Sequence, residues 1–269
     1  MTAPTANFEE MRRILRDLPG PDLAARTDVV RRQAELTKPP GSLGRLEEIA
    51  EWLAAWQGRG APRIERPRIA VFAGTHGVAR RGVSAYPLEV TQQMVKNFLD
   101  GGAAINQLAA TFDADLRIYE LDLDHPTEDF TRAPAMSEAR AANAMAYGMM
   151  AAEPGIDVLC LGEMGIGNTT SAAALSAGLF GGGGRDWAGP GTGVHGTTLD
   201  KKVAVIDEAL ALIAELMAHA TQPKYEYRHR WEYGDMVIWD NRSVMHQANA
   251  DYDMKEARRL LRMMIKGQL

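Results

Sequence analysis

Glu163, Gly165, Gly167, Asn168, Thr169 and Thr170 follow directly on an apolar run that ends at Leu161 and precede an alanine-rich stretch. Glycines placed there let backbone N–H groups approach an anion, and a helix beginning at that point offers unpaired donors and partial positive charge. The chemistry this suits is the holding of a phosphate beside a carboxylate. The spacing is not that of a P-loop, which needs Gly-Lys followed by Ser or Thr, and it lacks the third glycine of a dinucleotide fingerprint. A second reading stays open, a tight strand-to-helix turn capped by a threonine. Gly189, Gly191 and Gly193 form a second glycine-rich loop, with Lys202 downstream. Taken alone, Lys202 reads as a solvated helix residue. The same phosphate-site vocabulary recurs in Lys38-Pro39-Pro40-Gly41-Ser42-Leu43-Gly44-Arg45.

Near the other end the vocabulary changes, to His229, Trp239-Asp240-Asn241-Arg242, His246, Arg258 and Arg262. Two histidines and a carboxylate can form the facial triad of a non-haem iron site, usually with the first pair as His-x-Asp or His-x-Glu. The residues two places after the six histidines are Val78, Thr127, Thr197, Thr221, Trp231 and Ala248, so that pair is absent. Composition changes with the vocabulary: 24 of the 26 glycines fall in residues 1–210, and four of the seven tyrosines fall after them. The first part carries 21 Lys and Arg against 27 Asp and Glu, and the last 59 residues carry 9 against 8.

The elements that must position these groups follow from periodicity. Residues 42–57 predict a helix with Ser42 as N-cap and Leu43, Leu46, Ile49, Leu53 and Trp56 on one face. Apolar runs at 69–73, 116–121 and 158–161 each lead through a Gly-containing or polar turn into a helical stretch, the pattern of a parallel sheet with crossover helices. Ligands of such sheets bind outside the carboxyl ends of the strands, which points to 74–92, 122–129 and 162–170. A helix is expected over 199–217, and beyond Pro223 the period becomes two, predicting a ribbon of short strands. Cys160, between Leu159 and Leu161, reads as a buried strand thiol without chemistry. With 46% hydrophobic residues, a net charge of −5, no long apolar run and no apolar leader, the expectation is a globular cytoplasmic protein that binds neither nucleic acid nor membrane.

Residues 38–47, 82–92, 101–106 and 161–170 together resemble nicotinate-nucleotide:dimethylbenzimidazole phosphoribosyltransferases, and the resemblance runs from near the N-terminus to about residue 210. It implies an α/β fold with a Rossmann-like phosphoribosyltransferase core, here truncated and followed by a short C-terminal β-ribbon. Residues 1–210 would be the transferase domain and 211–269 a foreign piece. It also implies transfer of phosphoribosyl from nicotinate mononucleotide to 5,6-dimethylbenzimidazole, giving α-ribazole phosphate and nicotinate in the synthesis of the cobalamin lower ligand, with no metal or cofactor. Carried over, Ser84 and Gln92 line the benzimidazole pocket with Tyr86 nearby. Glu163 and Gly165, Gly167, Asn168, Thr169 and Thr170 hold ribose and phosphate, and Gly191, Gly193 and Lys202 complete the anion cradle. His76 reads as a hydrogen-bonded loop histidine. The partners implied are those two small molecules, with a homodimer as one assembly open to the chain.

The resemblance places the general base, a glutamate, in a C-terminal segment beyond the similarity, so Glu163 is the candidate substitute. From about residue 215 the chain resembles instead the end of a taurine-type 2-oxoglutarate-dependent dioxygenase. That likeness would make His246 an iron ligand, Arg258 a 2-oxoglutarate partner and Arg262 a substrate-anion contact. With one such imidazole they read as orphaned motif residues, and no metal is expected. Three readings result: a transferase with impaired turnover, a noncatalytic nucleotide-binding remnant, and an oxygenase fragment.

Overall fold

A computed structural model describes residues 7–225. The predicted β-ribbon, together with His246, Arg258 and Arg262, lies outside them. The chain divides into two compact units, residues 1–221 and 222–269. In the first, the elements run α1 Phe8–Arg16, α2 Leu23–Glu35, α3 Arg45–Gln57, β1 Pro67–Gly74, α4 Val90–Leu99, α5 Ala104–Thr111, β2 Asp115–Leu121, α6 Glu138–Met149, β3 Val158–Met164, α7 Asn168–Phe180, α8 Gly184–Trp187 and α9 Gly196–Ala220. Side-chain caps begin three of them: Asn7, Asp22 and Ser137 accept from Glu10, Ala25 and Arg140 N–H at 2.9, 3.0 and 3.2 Å.

The three predicted strands form a parallel sheet in the order β2-β1-β3. Its centre, β1, pairs Val71 with Ile118 on one side and with Gly162 on the other. Alternation along β1 sends Ala70 and Phe72 to one face, where they meet Tyr119, Leu159 and Ala151, and Ala73 to the other, where it meets Val95 of α4, Ile118 and Leu123. Phe72 stacks on Tyr119 at 5.0 Å, and Tyr147 of α6 meets the Tyr119 ring edge-on at 5.7 Å. Helices therefore cover both faces, as expected of an α/β protein with crossover connections. At the amino ends of the strands the buried Arg68 bridges Asp115 at 2.8 Å and Glu153 at 3.0 Å, clamping the edge away from the expected ligand side.

Three expectations are corrected here. Helix α3 starts at Arg45, because Gly44 has a φ of 53° that the helix cannot continue; Ser42 lies in the preceding turn and does not cap. Lys38 of that turn is paired with Glu47 at 2.6 Å, and Glu47 also accepts the Leu43 N–H, so this glycine-rich stretch closes on itself. The buried residues of α3 are Ala54 and Ala55, whereas Leu46, Ile49 and Trp56 of the predicted face are exposed. Cys160 is exposed, not buried, and Leu161 beside it is 72% exposed, because β3 is an edge of the sheet among the described residues.

Helix α9 is continuous through residue 210, so the change of vocabulary falls inside one helix. It packs on α7 through Ile206 and Leu210 against Ala173 and Ala177, the small residues letting the two backbones approach. At the carboxyl edge of the sheet, the loops after β1 and β2 are sewn together. Thr75 Oγ1 donates to the Leu123 carbonyl at 3.1 Å, and Thr127 N–H donates to the Thr75 carbonyl at 3.1 Å. Gly77 is the tightest point, since a Cβ there would lie 2.2 Å from the Thr127 carbonyl oxygen. Gly77→Ala is expected to force the two loops apart and to destabilise the unit by about 2–3 kcal/mol, read as a lower urea midpoint at unchanged slope.

Candidate functional site

The segments after the three strands meet, as parallel topology requires of crossovers that return to one edge. Gly165 lies against the Gly74 carbonyl and the His76 ring, where a Cβ would be 2.5 Å and 3.2 Å away, and Gly167, with a φ of 89°, lies against Ala79. Both glycines are buried. They serve the close approach of two loops in a tight turn, but no threonine caps it: the N-cap of α7 is Gly167, without a side-chain cap, and the residues after it carry the polar groups. Ile166 N–H donates to Thr91 Oγ1 of α4 at 3.1 Å, and Ser171 Oγ lies 3.2 Å from His76 Nδ1. Burial lowers the His76 pKa, so the ring is neutral at pH 7, a hydrogen-bonded loop histidine as expected.

Lys202 is the main correction at the site. It is 1% exposed, not solvated, and its Nζ donates to Thr169 Oγ1 at 2.8 Å and to the Gly189 carbonyl at 2.9 Å. Both acceptors are neutral, and no carboxylate pairs with it among the described residues. Desolvation lowers its pKa. Gly191 stands over this pair: with a φ of 52° it brings backbone where a Cβ would sit 2.9 Å from Thr169 Oγ1 and 3.3 Å from Lys202 Nζ. Gly193, also left-handed, and Val194 donate back to the Pro190 carbonyl at 3.0 and 2.9 Å, which folds the loop. Two glycine-rich segments far apart in sequence thus converge on one ammonium.

Glu163, near the end of β3, accepts from Asn168 Nδ2, and Asn168 Oδ1 accepts the Thr169 N–H at 2.6 Å. Partial loss of hydration raises the Glu163 pKa. Thr170 is fully buried, and its Oγ1 has no hydrogen-bond partner. Ser84 Oγ lies 3.0 Å from Thr192 Oγ1 and accepts the Tyr86 N–H at 3.2 Å, which ties the loop after β1 to the 189–193 loop. The Tyr86 ring is exposed. Gln92 Nε2 donates to Asp124 Oδ1 at 3.1 Å. Sequence reasoning missed Thr91, Thr192 and Asp124, whose roles depend on contacts between distant segments that no local spacing announces.

Parallel strands, two glycine-rich loops and an ammonium buried without a carboxylate partner among the described residues meet at the carboxyl edge of the sheet in this α/β protein. The chain belongs to the phosphoribosyltransferase family, whose sequence model matches residues 18–224. A nicotinate-nucleotide–dimethylbenzimidazole phosphoribosyltransferase of Rhizobium etli (strain CIAT 652) is 57% identical over 205 residues, 76% of this chain and 60% of that one. Its counterpart in Rhizobium rhizogenes (strain K84 / ATCC BAA-868) is 54% identical over 216 residues, 80% and 63% of the two chains. The crystal structure of CobT from Thermus thermophilus superposes with a TM-score of 0.66 at 42% identity, over 70% of this chain and 62% of that one. The chain thus spans about 60% of the length of the curated relatives it matches. A second model, of the taurine catabolism dioxygenase TauD, TfdA family, matches residues 192–264.

Lys202→Met keeps an unbranched side chain out to the ε position and removes the charged Nζ, so affinity for a phosphate monoester should fall about ten- to a hundredfold by calorimetry. The wild-type pH dependence should be opposed in sign for binding and folding. Between the lowered Lys202 pKa and the unfolded value of about 10.4, the unfolded chain holds a proton that the folded chain has lost, so stability rises with pH in that window. Anion affinity should fall as pH climbs through the lowered value. Affinity flat across that range and equal in Lys202→Met would remove Lys202 from the site.

Proposed function

We propose that this chain binds nicotinate mononucleotide and 5,6-dimethylbenzimidazole and is built to transfer phosphoribosyl between them, releasing nicotinate and forming α-ribazole phosphate in cobalamin lower-ligand synthesis. The observation that carries this is the Lys202 ammonium, buried against Thr169 and Gly189 without a countercharge among the described residues. A buried charge is costly unless paired, so an anionic phosphate is the partner this position suits. The names of the relatives supply the identity of the ester.

In this reading Lys202, Thr169 and the 189–193 loop anchor the phosphate, and Glu163, oriented by Asn168, faces the ribose. Ser84, Tyr86 and Gln92 line the place of the heterocycle. One ring nitrogen of the benzimidazole attacks C1 of the ribose as the bond to the nicotinate nitrogen breaks, and the other ring nitrogen gives up its proton. Holding the two reactants together removes the entropic cost of their encounter. The transferase part is read as ending near residue 210, within α9, which runs on to Ala220. A homodimer is the assembly we propose.

The glutamate that the resemblance gives as general base lies beyond the similarity, and Glu163 is the carboxylate offered in its stead. The 269-residue chain is therefore expected to bind nicotinate mononucleotide but to release nicotinate about 10²- to 10⁴-fold more slowly than a full-length relative assayed alongside. Equal turnover would place the base within this chain, with Glu163→Gln the variant that identifies it. Binding without any release would leave a nucleotide-binding protein, and no binding at all would end the proposal.

A further inference from the structure

Helix α9 turns two adjoining faces to the candidate site. Lys202, Ile206 and Leu210, spaced by four, meet Thr169 and the alanines of α7. Lys201, Val205 and Glu208 form the next face, and all three reach the loop after β1. Val205 is buried with Val78 and Val83, and Phe130 packs against them. A Cβ on Gly82 would lie 3.6 Å from Lys201 Nζ, so that side chain lies over the Gly82 corner. Arg81, one residue before it, donates to the Glu208 carboxylate at 2.7 Å.

Arg81 is anchored from its other side as well. Its Nη1 donates to Oγ1 of the buried Thr131 at 2.6 Å and to Asp129 Oδ2 at 3.4 Å. Asp129 in turn accepts both the N–H and the hydroxyl of Thr131, at 3.0 and 2.8 Å. A guanidinium offers its donors in a rigid fork, so one side chain joins three segments: the turn Gly77–Arg81, the loop after β2, and α9. The residues that follow carry the heterocycle wall. Val83 is buried, and Ser84 lies 3.0 Å from Thr192 of the loop whose Gly189 carbonyl accepts from Lys202. Segment 82–86 is thus held between α9 and the 189–193 loop, the two elements that enclose the ammonium.

We infer that Arg81 is a positioning residue that couples the two subsites: through Glu208 it ties segment 82–86 to the helix carrying Lys202, so that a phosphate ester bound at Lys202 raises affinity for the heterocycle. An anion that compensates the buried ammonium steadies this part of α9. The adjoining face of the helix then steadies the 82–86 segment, and a heterocycle meeting an ordered wall gives up less freedom on binding. Linkage makes the effect reciprocal. The inference rests on the reading of Ser84 and Tyr86 as walls of the heterocycle subsite and of Lys202 as the phosphate anchor.

The test is calorimetric titration of the full chain with 5,6-dimethylbenzimidazole, with and without saturating ribose 5-phosphate, a phosphate ester that has no nicotinate to release and so permits no turnover. Wild type should bind the heterocycle about tenfold more tightly when the sugar phosphate is present, within the usual range for coupled sites. Glu208 is half-exposed, so Glu208→Ala opens the clasp without disturbing the core. In this variant the enhancement should fall to about twofold or less, while each ligand taken alone keeps its affinity within about twofold. Arg81→Met should act in the same direction. Amide exchange over 82–86 should slow on addition of ribose 5-phosphate in wild type and not in Glu208→Ala. An enhancement absent from wild type, or unchanged in both variants, overturns the inference and leaves the two subsites standing. Loss of each ligand's own affinity with the enhancement intact overturns it too, since that marks a purely structural role. Failure of wild type to bind the heterocycle under either condition, while ribose 5-phosphate still binds, overturns the heterocycle subsite itself.

Discussion

The ammonium of Lys202 is held out of water between a threonine hydroxyl and a backbone carbonyl, and the arrangement around it follows from accommodating that charge. Helix α9 must approach α7 closely enough to bury it, which is why the facing positions of α7 are alanines. The 189–193 loop must pass over it with no side chain in the way, which is why Gly191 takes a left-handed conformation there. The turn after β3 must bring Thr169 to it, so that turn is pressed onto the loop after β1 through two glycines. A hydrophobic residue at position 202 would ask for none of these compensations.

The two ends of the sheet have divided tasks. At the amino ends of the strands, Arg68 satisfies its charge with Asp115, Glu153 and a backbone carbonyl, leaving nothing to offer a ligand. At the carboxyl ends, Lys202 and Glu163 have neutral hydrogen-bond partners among the described residues. A paired buried ion leaves no charge over for a ligand, whereas an uncompensated one is costly until a group of opposite charge reaches it.

How much of this could be read from the chain depended on the range of each signal. The three strands and the turns after them were legible because apolar runs and glycines act locally, and the structure extends those runs by one to three residues at an end, drawing Gly162 and Glu163 into β3. The burial of Lys202 was not legible: its neighbours along α9 look like those of any amphipathic helix, and the enclosure comes from the 189–193 loop and α7. Cys160 misled for a related reason, since Leu-Cys-Leu reads as core until the strand order puts β3 at an edge. Ser42 was a plausible cap, and the backbone of Gly44 overruled it. Helix α9 is claimed by two family models, over residues 18–224 and 192–264, and its packing on α7 assigns its first half physically to the transferase body.

The exposure of Cys160 has a practical side. It is the sole thiol of the 269 residues, it is exposed on β3, an edge strand among the described residues, and that strand carries Glu163 and leads into the glycine turn after it. One maleimide-linked fluorophore per molecule would therefore sit three residues before Glu163 in the sequence. The native sequence thus provides a spectroscopic reporter at a single defined stoichiometry, with no cysteine to engineer in or out.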